Sequence, residues 1–152
     1  MKILDFLYEE TILTDLQATD KKGVLEELTL PVARVAQTDH KELVRVLIER
    51  EHLGSTGIGD GIGIPHGKLR SLHQLILGFG LSRKGVNFEA LDQRPTHVFF
   101  LLLTPDDSAG EHLQLLARIS KLLKDDGFKS RLMNASDPQE VIRTIEEVDE
   151  EF

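Results

Sequence analysis

The sequence predicts a mixed α/β domain in which a sheet is sandwiched between helices. Two runs of strand length, Leu75–Ser82 and His97–Leu103, are apolar at nearly every position, as strands covered on both faces are. Segments with helical spacing and recognisable start signals lie before and after them. The 152 residues suit one domain, 1–152, and no repeat, low-complexity tract or Pro/Ser-rich linker divides them.

Taken in order, Thr11–Leu16 alternates weakly and is expected to form a short strand. Lys21–Ala36 carries Val24, Leu25, Leu28, Val32 and Val35 at helical spacing, with Asp20 as its cap. Pro31 lies inside it, so a kink or break is expected near Thr29–Leu30. Asp39 opens a second helix, with Glu42 completing a capping box and Gly54 marking its end. Gly54–Gly67 then holds six of the chain's 12 glycines, which points to a shaped loop with one or two strand-like stretches. The two apolar strands follow, with Gly85–Phe88 as a further edge strand. Ser108 and Glu111 form a second capping box opening a helix to about Lys124. Phe128–Asn134 is a short helix. Asp137-Pro138-Gln139-Glu140 combines N-cap, Pro at N1 and Glu at N3, opening a last helix to about Val148. The acidic end, Glu146 to Glu151, reads as a solvated tail.

Composition narrows the function. Lys and Arg number 18 against 26 Asp and Glu, for a net charge of −8. That balance argues against binding a nucleic-acid backbone or attaching through a polybasic surface. The absence of cysteine excludes disulfides, thiolate zinc sites and cysteine nucleophiles. Apolar runs fall far short of a membrane span, and Asp5 arrives too early for a signal peptide. A cytoplasmic protein without membrane insertion is the expectation.

The glycine-rich stretch fails the nucleotide motifs. A dinucleotide fingerprint needs glycine where Ile62 or Ile64 stands. A P-loop needs glycine at Ile62 and Ser or Thr at Leu69. Asn134-Ala135-Ser136 matches a glycosylation sequon, which a cytoplasmic chain does not use. There is no Gly-x-Ser-x-Gly elbow. Of the six histidines none forms a His-x-x-x-His pair, so no metal site and no cofactor are expected.

His66 stands apart. Pro65 restricts the backbone before it and Gly67 removes bulk after it. A neutral imidazole so placed is a nucleophile near pH 7. A phosphoryl group on it would carry almost two negative charges. Loop N–H groups could supply donors, and a guanidinium could supply charge with bidentate geometry. His73 and His97 read as structural or surface residues.

The stretch Arg50-Glu51-His52-Leu53-Gly54-Ser55-Thr56-Gly57-Ile58-Gly59-Asp60-Gly61-Ile62-Gly63-Ile64-Pro65-His66-Gly67-Lys68-Leu69 resembles the active-site signature of type-2 enzyme IIA domains. These belong to the phosphoenolpyruvate-dependent phosphotransferase system, in its fructose/mannitol and nitrogen-regulatory branch. Phe88-x-x-Leu91-Asp92-x-x-Pro95, Leu101–Pro105 and Glu111-His112-Leu113 resemble it too, so that the likeness covers about 5–148. It implies a single α/β domain with a central mixed sheet flanked by helices. It also implies that His66 accepts a phosphoryl group from phospho-HPr, expected on the tele nitrogen. By the same likeness His112 is an assisting histidine and Arg50 lies against the phosphoryl group. Ser55 and Thr56 are possible hydrogen-bond donors to it. Members either pass the group to a IIB domain, in sugar transport, or bind regulatory targets according to their phosphorylation state. The wording Gly-Ser-Thr-Gly-Ile-Gly leans to the regulatory type, and the length holds only a IIA unit. Two positions depart from the family's habit: Asp60, often Asn, and Gly63, often Ala. A carboxylate at 60 would repel a phosphohistidine if it pointed inward.

Overall fold

In a computed structural model, which describes residues 1–151, the chain forms three layers. A 3₁₀ turn (Ile3–Asp5) leads into β1 (Leu7–Leu13), α1 (Lys21–Ala36) and α2 (His40–His52). Three short strands follow: β2 (Gly57–Gly59), β3 (Ile62–Gly63) and β4 (His66–Leu69). Then come β5 (Ile76–Val86), β6 (Thr96–Pro105), α3 (Ala109–Leu123), α4 (Asp126–Met133) and α5 (Pro138–Glu146).

The sheet is mixed, in the order β1-β5-β6-β3-β2, with β4 also on β6. β1 runs parallel to β5, and β5 antiparallel to β6. β3 and β4 lie end to end along the same edge of β6. Ile62 pairs with Val98 and Gly63 with Phe99; His66 pairs with Leu102 and Lys68 with Thr104. The register never shifts between them. The two pieces are therefore one parallel strand interrupted at Ile64–Pro65, where Leu102 N donates to Pro65 O at 3.0 Å.

Alternation along β6 sorts the core. Val98, Phe100 and Leu102 join Leu115, Ile119, Leu132, Val141 and Ile145 under α3–α5. Phe99, Leu101 and Leu103 join Leu25, Leu28, Val32, Leu43 and Leu47 under α1 and α2. A continuous apolar run is what burial on both faces requires. Phe79 meets Phe100 edge-on on the first side, centroids 5.0 Å apart; Phe88 meets Phe99 likewise at 5.2 Å on the second.

Several expectations need correction. The first strand occupies Leu7–Leu13 rather than Thr11–Leu16, because pairing with β5 begins at Leu7–Leu77. α1 runs through Pro31 without a break; its buried face supplies the tertiary packing that outweighs the missing bond. Neither capping box forms around α2 or α3. Asp39 accepts from Lys41 N, while Glu42 holds Arg45 at 3.0 and 2.5 Å. Ser108 stands at the cap of α3 without a side-chain capping bond. The edge strand expected over Gly85–Phe88 is the continuation of β5 to Val86. α5 stops at Glu146. The acidic tail is not wholly solvated. Asp149 is buried and accepts from Ile3 N at 2.8 Å and Leu4 N at 2.9 Å, joining the two ends of the chain.

Candidate functional site

β4 pairs only with β6 among the described residues, so it forms a local edge of the sheet. α2 passes over one side of it and α3 begins on the other. Between them opens a cleft of about 650 Å³, lined by Val46, Glu49, Arg50 and Leu53 of α2 and its end, His66, Gly67 and Lys68 of β4, and His112, Leu113 and Leu116 of α3. Gly67 lets α2 approach. A Cβ there would stand 2.8 Å from Val46 Cγ1, nearer than packed carbons come, so a side chain would push the helix carrying Arg50 away from His66.

The His66 ring is held by Nδ1, 2.7 Å from Ile64 O. A carbonyl only accepts, so Nδ1 carries the proton and Nε2 keeps its lone pair. Burial pushes the imidazole below the usual histidine range, and the charges of Arg50 and Lys68 act in the same direction. The Ile64 hydrogen bond and Glu51 oppose them without reversing the shift. His66 is thus held towards its neutral form, with Nε2 unprotonated.

His112 is buried in the first turns of α3, its centroid 5.4 Å from that of His66 and its plane inclined by 59°. Its Nδ1 lies 2.9 Å from Thr104 Oγ1, the β6 residue paired with Lys68. Burial, with lesser contributions from His66 and Lys68, lowers it to about 4. It too is neutral at neutral pH. Arg50, in the last turn of α2, donates from Nη1 to Gly54 O at 3.0 Å. That bond ties Arg50 to the turn just past its own helix, while the half-buried side chain lines the cleft.

Ser55 and Thr56 are not brought to the cleft. Ser55 Oγ donates to Phe88 O at 3.2 Å. Thr56 is buried, and its hydroxyl donates to Glu51 Oε2. Asp60 does not line the cleft either. It stands exposed at the turn from β2 to β3 with φ of 55°, where Asn and Asp are the side chains best tolerated. Gly63 packs tightly, since a Cβ would lie 3.1 Å from the Phe99 ring. His97 donates from Nδ1 to Ser82 O at 2.8 Å. Lys68 was missed by sequence reading. The available signal was strand alternation, which turns residue 68 to the same side as residue 66. Among the described residues no group of three or more His, Cys, Asp or Glu is placed to hold a metal ion, and no helix is long and apolar enough to cross a membrane.

Residues 5–148 match the family described as phosphoenolpyruvate-dependent sugar phosphotransferase system, EIIA 2. A nitrogen regulatory protein of Bradyrhizobium diazoefficiens is 36% identical over 145 residues, 95% of either chain. A fructose-specific EIIA component of Haloferax volcanii is 33% identical over 131 residues, 84% of either chain. The crystal structure of nitrogen regulatory protein IIA-Ntr from Neisseria meningitidis superposes with a TM-score of 0.88 at 33% identity, covering 93% of this chain and 97% of that one. IIA mannitol of Escherichia coli, at 19% identity, shares the fold with a TM-score of 0.76 over 90% of this chain and 96% of its own.

Proposed function

Since this chain belongs to the EIIA 2 family of the phosphoenolpyruvate-dependent sugar phosphotransferase system, we propose that it is a phosphocarrier whose His66 takes a phosphoryl group from a phosphorylated HPr-type protein. The observation that carries the reading is the hydrogen bond from His66 Nδ1 to Ile64 O. It leaves the Nε2 lone pair on the other edge of the ring, in a cleft shared with Arg50, Lys68 and His112.

Nε2 attacks the phosphorus in line with the donor's phosphohistidine. The new N–P bond forms as the donor's breaks, and the departing electron pair stays on the donor imidazole. Positioning and charge stabilisation supply most of the catalysis. Arg50 and Lys68 balance the phosphoryl charge. His112, anchored at Nδ1 by Thr104, offers its Nε2 edge to a phosphoryl oxygen. Ser55 and Thr56 do not donate to the phosphoryl group, because their hydroxyl protons are directed elsewhere.

The output is regulatory, exerted through protein binding that depends on the phosphorylation state; the 95% mutual coverage with a nitrogen regulatory relative favours this. A second reading, transfer to a separate fructose or mannitol IIB, draws on the fructose-specific relative. Intact-protein mass after incubation with phosphoenolpyruvate, enzyme I and HPr tests the chemistry. One acid-labile phosphoryl group is expected, absent from His66→Ala. Labelling of the variant at another residue would remove His66 from the role. Adding a IIB domain to the isolated phosphoprotein separates the outputs: retention of the group favours the regulatory one.

A further inference from the structure

Glu51 lies beside Arg50 in the sequence but faces the opposite way. Its side chain is 2% exposed, and it sits in the last turn of α2 with a cation on one oxygen: Lys21 Nζ, from the first turn of α1, is 3.0 Å from Oε1. The same carboxylate accepts two bonds from one residue of the glycine-rich segment, Thr56 N at 3.1 Å on Oε1 and Thr56 Oγ1 on Oε2. The Lys21 ammonium also stands over the Phe88 ring, 5.0 Å from its centroid. A carboxylate so deep costs several kcal/mol in lost hydration unless it is fully paired, and here it is paired from three sides.

The bonds continue towards the nucleophile. Thr56 O accepts from Ile64 N at 3.0 Å. Ile64 O accepts from His66 Nδ1 at 2.7 Å. Only φ and ψ separate the N–H of a residue from its own C=O, so fixing the first limits where the second can point. The chain therefore runs unbroken from Lys21 and Glu51, through Thr56 and Ile64, to the imidazole. It also crosses the point where β3 gives way to β4, and Pro65 has no N–H of its own to anchor that junction.

We propose that Glu51 is a positioning residue for phosphoryl transfer: through Thr56 and Ile64 it sets the carbonyl that holds His66 Nδ1–H, and so keeps Nε2 as the accepting nitrogen. The inference rests on His66 being the phosphoryl acceptor. Its first test does not, because the tautomer of His66 is a property of the unphosphorylated protein. In ¹⁵N-histidine spectra at pH 8 the wild type is expected to show His66 as the Nδ1–H tautomer. Glu51→Gln and Thr56→Val are each expected to give a detectable share of the Nε2–H form, while Thr56→Ser, which keeps the hydroxyl, behaves as wild type.

The second readout is kinetic. For the folded Glu51→Gln and Thr56→Val proteins the turnover for phosphoryl acceptance should fall about tenfold or more, as misplacement of a reacting group does. The KM for the phosphorylated donor should stay within about twofold, since the lining of the cleft is untouched. Should Glu51→Gln fail to fold, Thr56→Val against Thr56→Ser carries the comparison. A pure His66 Nδ1–H tautomer in a folded Glu51→Gln or Thr56→Val protein would overturn the proposal, as would unchanged turnover. A wild-type protein that is never phosphorylated by an active donor would overturn the phosphocarrier reading and the kinetic part with it. The tautomer result would still decide whether Glu51 orients the ring.

Discussion

His66 and His112 stand with ring centroids 5.4 Å apart and planes inclined by 59°, one on the edge strand β4 and the other at the start of α3. Burial lowers the proton affinity of both rings, His66 further lowers that of His112, and Lys68 adds a positive charge beside both. Two neutral imidazoles thus share a cleft with two cations.

Phosphoryl acceptance should persist into mild acid. The protonated His66 ring has no lone pair to attack with, and burial holds its pKa below the ordinary histidine value. With a pre-phosphorylated donor, the single-turnover rate should stay level from pH 8 down through about 6.5 and fall only below that. A midpoint at or above the ordinary value would contradict the burial argument.

Stability should carry the mark of His112. Its folded value is about 4, against about 6.5 in an unfolded chain. Between those values the unfolded state binds the extra proton, so stability is fully present above the upper value and is lost as pH falls towards the lower one. The slope from this group reaches at most about 1.4 kcal/mol per pH unit. Urea unfolding of wild type and His112→Asn across this range should give curves that diverge, the wild type being the steeper. Parallel curves would show that His112 does not titrate with unfolding.

Arg50→Ala should leave the fold nearly intact, because the lost bond to Gly54 O is exposed and such helix-end contacts are worth under about 1 kcal/mol. Transfer should slow by on the order of ten- to a hundredfold, with Arg50→Lys falling between. Rates within twofold of wild type for the alanine variant would reduce Arg50 to a helix-capping residue.

Gly67→Ala tests the approach of α2 to β4. The added methyl meets Val46 Cγ1 at 2.8 Å, and overpacking of this kind costs about 1–3 kcal/mol. A lowered melting temperature and slower transfer should appear together, since the same displacement moves Arg50 away from His66. The companion substitution Val46→Ala should restore part of both. Full activity in Gly67→Ala alone would show that the helix can shift without consequence.

The local signals read correctly in the sequence are those whose partners lie within a few residues. Asp20 and Asp137 cap their helices through N–H groups three positions on, and the apolar spacing of Lys21–Ala36 predicts its buried face. The composition and the Pro-His-Gly frame direct attention to His66, and the long glycine-rich signature carries the family. Sequence by itself therefore determined the layer architecture, the family and the nucleophile proposed here.

Only the tertiary structure decided where the longer-range bonds go. The unbroken pairing of β3 and β4 on β6 sets His66 opposite Leu102 and Lys68 opposite Thr104, whose hydroxyl meets His112. Nothing local to either histidine encodes that meeting. The Ser55 hydroxyl turns to Phe88 O and the buried Thr56 hydroxyl to Glu51. A short polar side chain bonds whichever acceptor folding places nearest, so its role follows from distances that arise only when segments far apart in the chain pack together.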